Sequence, residues 1–230
     1  MALHASGVLK GEGVVKAELV IFDLDGTLVD SSGDIAWAAN RTLREMGYGE
    51  MPAEDIKARI GWGVTSLLEK VLPEEARSDL DRAKRIFLGY YGEHLLVETE
   101  PYPGTLDTLR HIDLTGRKMA VATNKPVELA ERIIEGLGMK RYFGVVIGGD
   151  SVRNKKPHPE PLLAAIDVIG ATRDETVFVG DSAIDCEAGR RAGVRTIGAG
   201  YGFRGREALE GCGCEFIIDR IDELKGILSF

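Results

Sequence analysis

The chain has 230 residues and a formal net charge of −8, with 29 Lys and Arg against 37 Asp and Glu. That acidic balance gives no electrostatic footprint for nucleic acid. No stretch approaches the roughly 18 apolar residues of a membrane-spanning helix, and the opening residues lack the continuous apolar core of a secretory signal, so neither partner is expected and the expected location is cytoplasmic.

Residues 1–17 read as a weakly structured leader. A first strand is expected over Glu18–Phe22, an apolar, β-prone run that ends in Asp23-Leu24-Asp25-Gly26-Thr27. Side chains at i and i+2 of an extended segment point the same way, so Asp23 and Asp25 converge as the strand runs out. Unit charges roughly 4 Å apart at an effective dielectric near 20 repel by about 4 kcal/mol. A cation between them, or a proton on one, relieves the repulsion. Each solution is chemistry: a hard cation such as Mg2+ orders phosphate oxygens, and a neutral carboxyl protonates a leaving group.

From Ser32 to Thr99 strand signals vanish. Ile35, Ala38, Ala39, Thr42, Leu43 and Met46 recur at helical spacing behind the N-cap candidates Asp30, Ser31 and Ser32, and Gly47 and Gly49 stop that helix. A short helix follows over Ala53–Arg59, then the Gly61-Trp62-Gly63 turn, a helix to Leu72, and a longer one from Pro73 to about Leu96. Beyond Pro101-Tyr102-Pro103-Gly104 strands and helices alternate. Strands are expected over Lys118–Ala122, Gly144–Ile147, Thr176–Val179, Val194–Ile197 and Glu215–Ile218. Helices are expected over Thr105–Ile112, Val127–Leu137, Glu160–Ile169 and Ala183–Ala192, with another after Ile221. Alternation of this kind predicts an α/β fold, a doubly wound parallel sheet. The core is then residues 18–31 and 100–230, and residues 32–99 form an inserted all-helical domain.

The three cysteines are Cys186, Cys212 and Cys214. Cys212-Gly213-Cys214 lies in a glycine-rich loop without further ligands at zinc-like spacing, and its thiols read as incidental. Gly198-Ala199-Gly200-Tyr201-Gly202 does not have the GxGxxG spacing of a dinucleotide site.

Ligands of open α/β sheets sit beyond the carboxyl ends of the strands. Those ends here carry Asp23 and Asp25, then Thr123-Asn124-Lys125, then Asn154-Lys155-Lys156-Pro157-His158, then Gly180-Asp181-Ser182-Ala183-Ile184-Asp185. Carboxylates, a hydroxyl, an amide and a lysine on one edge suit phosphoryl transfer. Other readings stand beside this one: Thr123 as a helix cap, Lys155 in place of Lys156, Asp185 as a surface charge, and His158 as a brace for the proline turn.

These four segments resemble, in order, the motifs of the haloacid dehalogenase-like hydrolase superfamily, over residues 19 to about 225. The resemblance implies a Rossmann-like core and these roles. Asp23 is the nucleophile that forms an aspartyl-phosphate, and Asp25 is the general acid, then base. Thr123 binds the phosphoryl group, and Lys156 steadies the nucleophile. Mg2+ is held by Asp23, the backbone carbonyl of Asp25, and Asp181. Asp185 supports the metal shell or holds Lys156, with Ser182 beside it. The helical insertion resembles the small cap of that superfamily. Its Arg59-Ile60-Gly61-Trp62-Gly63 turn is the expected specificity loop, with Arg59, Trp62 and Gly63 joining Asn124 in substrate binding.

FDLDGTLVDS at Phe22–Ser31, Thr123-Asn124-Lys125-Pro126, KKPHPEPL at Lys155–Leu162 and Gly200-Tyr201-Gly202 resemble the phosphoglycolate phosphatase-like branch. That branch implies a small phosphorylated metabolite as partner, 2-phosphoglycolate first, and a monomer or homodimer. A mutase of the β-phosphoglucomutase type and a pyrophosphatase share the acid pair. A phosphate-sensing or scaffold protein is the non-enzyme alternative.

Overall fold

The computed structural model describes residues 15–229, so residues 1–14 of the expected leader lie outside the described residues. Val15–Lys16, assigned to that leader from sequence, instead form a strand, β1. The central sheet is built from β2 (Leu19–Phe22), β5 (Lys118–Ala122), β6 (Val145–Ile147), β7 (Thr176–Gly180), β8 (Arg195–Ala199) and β9 (Phe216–Ile218). Between and around them run α5 (Thr105–Leu114), α6 (Val127–Gly136), α7 (Glu160–Ile169), α8 (Ala183–Ala192) and α9 (Leu224–Ile227). The chain closes on β10 (Leu228–Ser229), which pairs in parallel with β1.

The sheet order is β6-β5-β2-β7-β8-β9, with all six strands parallel. β2 is central because both its faces are apolar. Val20 and Phe22 pack into the larger of two buried clusters, and Leu19 and Ile21 into the other. Each such side chain contributes about 1.5–3 kcal/mol when fully buried. The winding reverses between β2 and β7, so their carboxyl ends flank the crevice at a topological switch point.

The insertion is helical, as expected: α1 (Ser32–Glu45), α2 (Ala53–Lys57), α3 (Val64–Val71) and α4 (Leu80–Glu93). The long helix expected from Pro73 is divided, because Glu74–Asp79 winds as a 3-10 helix before α4 begins. β3 (Val29–Asp30) and β4 (Glu100–Pro101) form an antiparallel neck, pairing Val29 with Pro101 and Asp30 with Glu100. Asp34, fully buried in α1, pins the return segment. Its carboxylate accepts the Glu98 N–H at 3.0 Å, the Thr99 N–H at 2.9 Å and the Thr99 hydroxyl at 2.6 Å, and His94 Nδ1 lies 2.9 Å away.

Cys214 is not an incidental thiol: it forms a disulfide with Cys186 in α8. The two lie 28 residues apart in sequence, and only the packing of α8 beside the loop before β9 brings their Cα atoms to 5.8 Å. Cys212 remains a free thiol. Among the described residues no helix is long and apolar enough to cross a membrane.

Candidate active site

Four strand ends converge at the switch point. Asp23 follows β2, with its N–H on the Val179 carbonyl at 2.9 Å and its Oδ1 accepting the Leu24 N–H at 2.8 Å. Lys156 precedes the cis Pro157 peptide. Its buried ammonium lies 2.9 Å from Asp23 Oδ1 and 2.7 Å from Asp185 Oδ1. Lys155 is exposed, so of the two lysines only Lys156 enters the cluster. Asp185 sits in the first turn of α8, where it completes a capping box with Ser182: its Oδ2 accepts the Ser182 hydroxyl at 2.6 Å and the Ser182 N–H at 3.1 Å. One carboxylate thus caps a helix and holds a lysine.

Asp181 directly follows β7 and accepts the Phe203 N–H at 2.8 Å. Gly26 faces it with φ +81°, and a Cβ there would stand 2.3 Å from Asp181 Oδ2, so only glycine lets the first loop pass.

Asp23, Asp181 and Asp185 place carboxylate oxygens within 4.8 Å of one another, all three buried. Burial pushes the Asp23 carboxyl up to about 6, against the pull of Lys156, and Asp185 and Asp25 add repulsion. Burial, then Asp185 and Asp23, hold Asp181 well above the usual carboxylate range. Burial opposes the Lys156 charge, yet Asp185 and Asp23 raise its pKa overall. Three carboxylates around a single ammonium are an excess of negative charge in a dry site. An all-oxygen donor set of that kind fits a hard divalent cation such as Mg2+.

Asp25 is separate from this cluster. Its Oδ1 accepts the Ser31 hydroxyl at 2.5 Å and the Lys125 ammonium at 2.6 Å. Two carboxylates two residues apart therefore have different partners: Lys156 for Asp23, Lys125 for Asp25. Thr123 is buried at the end of β5, and its Oγ1 accepts the Lys125 N–H at 3.3 Å. It does not cap α6, whose first N–H, on Val127, is taken by Asp150 at 2.8 Å.

A cavity of about 40 Å³ opens beside Asp23, Asp25, Thr123 and Asn124, and the insertion supplies its far wall from Ile35, Ile60, Val64, Leu67, Phe87 and Tyr91. Asn124 ties the two halves together, donating to the Gly61 carbonyl at 2.9 Å and the Lys156 carbonyl at 3.0 Å. Gly63 lines the cavity, and at φ +86° it brings the turn so close that a Cβ would lie 3.1 Å from the Asn124 carbonyl oxygen.

Arg59 and Trp62 do not line this cavity. The Arg59 guanidinium turns back onto the Asp55 carbonyl of its own turn, and Trp62 is 46% exposed beneath the Lys70 ammonium. The turn is held to the core by Arg204, whose guanidinium donates to the Ala58 and Ile60 carbonyls. Lys125, Tyr91, Ser31 and Arg204 had no site role in the sequence reading. The only signal for Lys125 was its place after Thr123-Asn124; Tyr91 and Arg204 carried none.

Residues 20–199 match the family model for haloacid dehalogenase-like hydrolases. The chain is 40% identical to the phosphoglycolate phosphatase of Aquifex aeolicus over 80% of this chain and 85% of that protein. It is 37% identical to that of Chromobacterium violaceum over 91% of this chain and 96% of that protein. A crystal structure described as a predicted phosphoglycolate phosphatase from Haemophilus somnus superposes with a TM-score of 0.85, at 29% identity over 94% of this chain and 99% of that one.

Proposed function

Because the chain belongs to the haloacid dehalogenase-like hydrolases, we infer that it is a Mg2+-dependent phosphatase of small phosphorylated acids, with 2-phosphoglycolate as first substrate. The observation that carries this reading is the division of labour between the two acids of the first loop. Asp23 sits with Lys156, Asp181 and Asp185 in a cluster that attracts a cation. Asp25 stands outside that cluster, with Ser31 and Lys125.

In this reading an Asp23 carboxylate oxygen attacks phosphorus while the ester P–O bond breaks. Asp25 gives its proton to the departing oxygen, then takes one from the water that cleaves the Asp23 acyl-phosphate and releases inorganic phosphate. Lys156 holds Asp23 in line and balances phosphoryl charge, and the Thr123 hydroxyl is placed to donate to a phosphoryl oxygen. Bound Mg2+, held by Asp23, Asp181 and the Asp25 backbone carbonyl with Asp185 behind them, supplies charge neutralisation for the phosphoryl oxygens. The apolar wall of the cap excludes water.

The apolar cap wall of Ile35, Ile60, Val64, Leu67 and Phe87 shares one cavity with Asp25 and Lys125, which supports a compact substrate with a short leaving group. The phosphoglycolate phosphatases at 37–40% identity support the same choice. The test is a panel of phosphate esters ranked by kcat/KM with Mg2+ and with chelator: 2-phosphoglycolate, pyrophosphate, hexose phosphates and nucleoside monophosphates. A leading pyrophosphate or hexose phosphate overturns the substrate; undiminished turnover in chelator overturns the metal.

A further inference from the structure

We propose that Lys125 recognises the carboxylate of the substrate, receiving it on the side of Asp25 away from the reacting phosphorus. This rests on the reading of the site as a phosphatase of a small phosphorylated acid. Among the described residues Lys125 is the one cationic side chain that lines the cavity. Lys156 is engaged by Asp23 and Asp185, Arg59 is turned onto the Asp55 carbonyl, and Lys155 is exposed. The Lys125 ammonium is buried and has two acceptors, Asp25 Oδ1 at 2.6 Å and the Tyr91 hydroxyl oxygen at 2.6 Å. An ammonium has three N–H donors, and among the described residues the third has no partner.

The connectivity of the substrate does the rest. The leaving oxygen must come within hydrogen-bond reach of the Asp25 carboxyl. In 2-phosphoglycolate one methylene separates that oxygen from the carboxylate. Lys125 is one hydrogen bond beyond Asp25, so the carboxylate arrives at its ammonium. The opposite wall offers Ile35, Val64, Leu67 and Phe87, against which an unpaired carboxylate would be strongly disfavoured. Tyr91 gives the contact a second property. It comes from α4 of the cap, so the lysine that reads the substrate is held in part by the element that closes over it.

The experiment compares 2-phosphoglycolate with ethyl phosphate, in which a methyl group replaces the carboxylate, on the full chain with saturating Mg2+. The wild type is expected to prefer the acid in kcat/KM. Lys125→Met should slow both substrates, since Asp25 loses a partner, and should reduce the preference at least tenfold. Tyr91→Phe keeps the ammonium and its Asp25 contact and guards against a misfolded Lys125→Met; it should raise KM severalfold more for the acid than for ethyl phosphate. A preference that survives both variants, or survives Tyr91→Phe where Lys125→Met does not fold, overturns the assignment of Lys125 alone. A wild type indifferent to the carboxylate overturns the substrate reading, and this proposal with it.

Discussion

Asp185 and Lys156 stand 2.7 Å apart, both almost wholly buried, although 29 residues separate them in sequence. Asp185 is one of two carboxylates that hold Lys156, the other being Asp23, and losing a hydrogen bond to a charged group costs about 1.5–3 kcal/mol. Asp185→Ala should therefore lower stability by that order in denaturant unfolding and lose the cap of α8 as well. Asp185→Asn keeps an acceptor for Ser182 and should lose less. Equal midpoints for wild type and Asp185→Ala would refute this role.

Asp23→Asn should abolish turnover of 2-phosphoglycolate and yet stabilise the protein without divalent cation. The Asp23 carboxyl is raised from 3.8 to about 6 by burial. A raised carboxyl binds its proton more tightly folded than unfolded, so its contribution is complete below pH 3.8 and is lost as pH rises through about 6. At neutral pH the wild-type carboxylate then opposes folding by about 1–3 kcal/mol. Thermal melts in chelator at pH 7.5 should place Asp23→Asn above wild type, and at pH 4 the two should converge.

Mg2+ should act in the opposite sense to the proton. A ligand at a hundred times its Kd stabilises by about 2.7 kcal/mol. The thermal shift at pH 7.5 should be of that order, shrink at pH 5 as protons compete for the same carboxylates, and vanish in Asp181→Asn. A shift independent of pH, or retained by Asp181→Asn, places the cation elsewhere.

Asp25→Asn should cost little with an activated aryl phosphate and about a hundredfold or more with alkyl phosphates, whose leaving oxygens need a proton. Equal losses across leaving groups would remove Asp25 from the acid role.

Cys214→Ser should lower stability by about 3–4 kcal/mol, the loop-closure term for a bridge spanning 28 residues. Wild type in reductant should unfold at the same denaturant concentration as the variant in reductant. An unchanged midpoint for Cys214→Ser in oxidising buffer counts against a structural role for the bridge.

The six core strands were legible because each is an apolar run bounded by polar or glycine residues, the signature of strands buried on both faces. The acid cluster was legible because Asp23 and Asp181 follow those strands directly and Asp185 stands one turn further on, at the start of α8. Three things were hidden. The neck strands have two residues each, too short for any period. The Pro73 segment has the composition of one helix, and its first turn winds more tightly. The contacts Lys125–Tyr91 and Cys186–Cys214 are tertiary, set by which faces meet rather than by spacing. Arg59 and Trp62 show the converse: both belong to a turn that reaches the cavity, but its backbone faces the core through Gly61 and Gly63 while neither side chain lines the cavity.

Asp30 and Glu100 sit opposite each other on the neck, so the chain leaves the sheet and returns to it at one place. Seen from the core, everything between them is a detour whose ends already meet, and a turn of a few residues would bridge the same gap. The strand ends that carry the acid cluster and the apolar wall of the cap thereby lie on separable stretches of the chain, with Lys125 on the core side of that division. The wall that faces the substrate can be redrafted, or exchanged for another of different size, while the strand ends that carry out the phosphate chemistry keep their register.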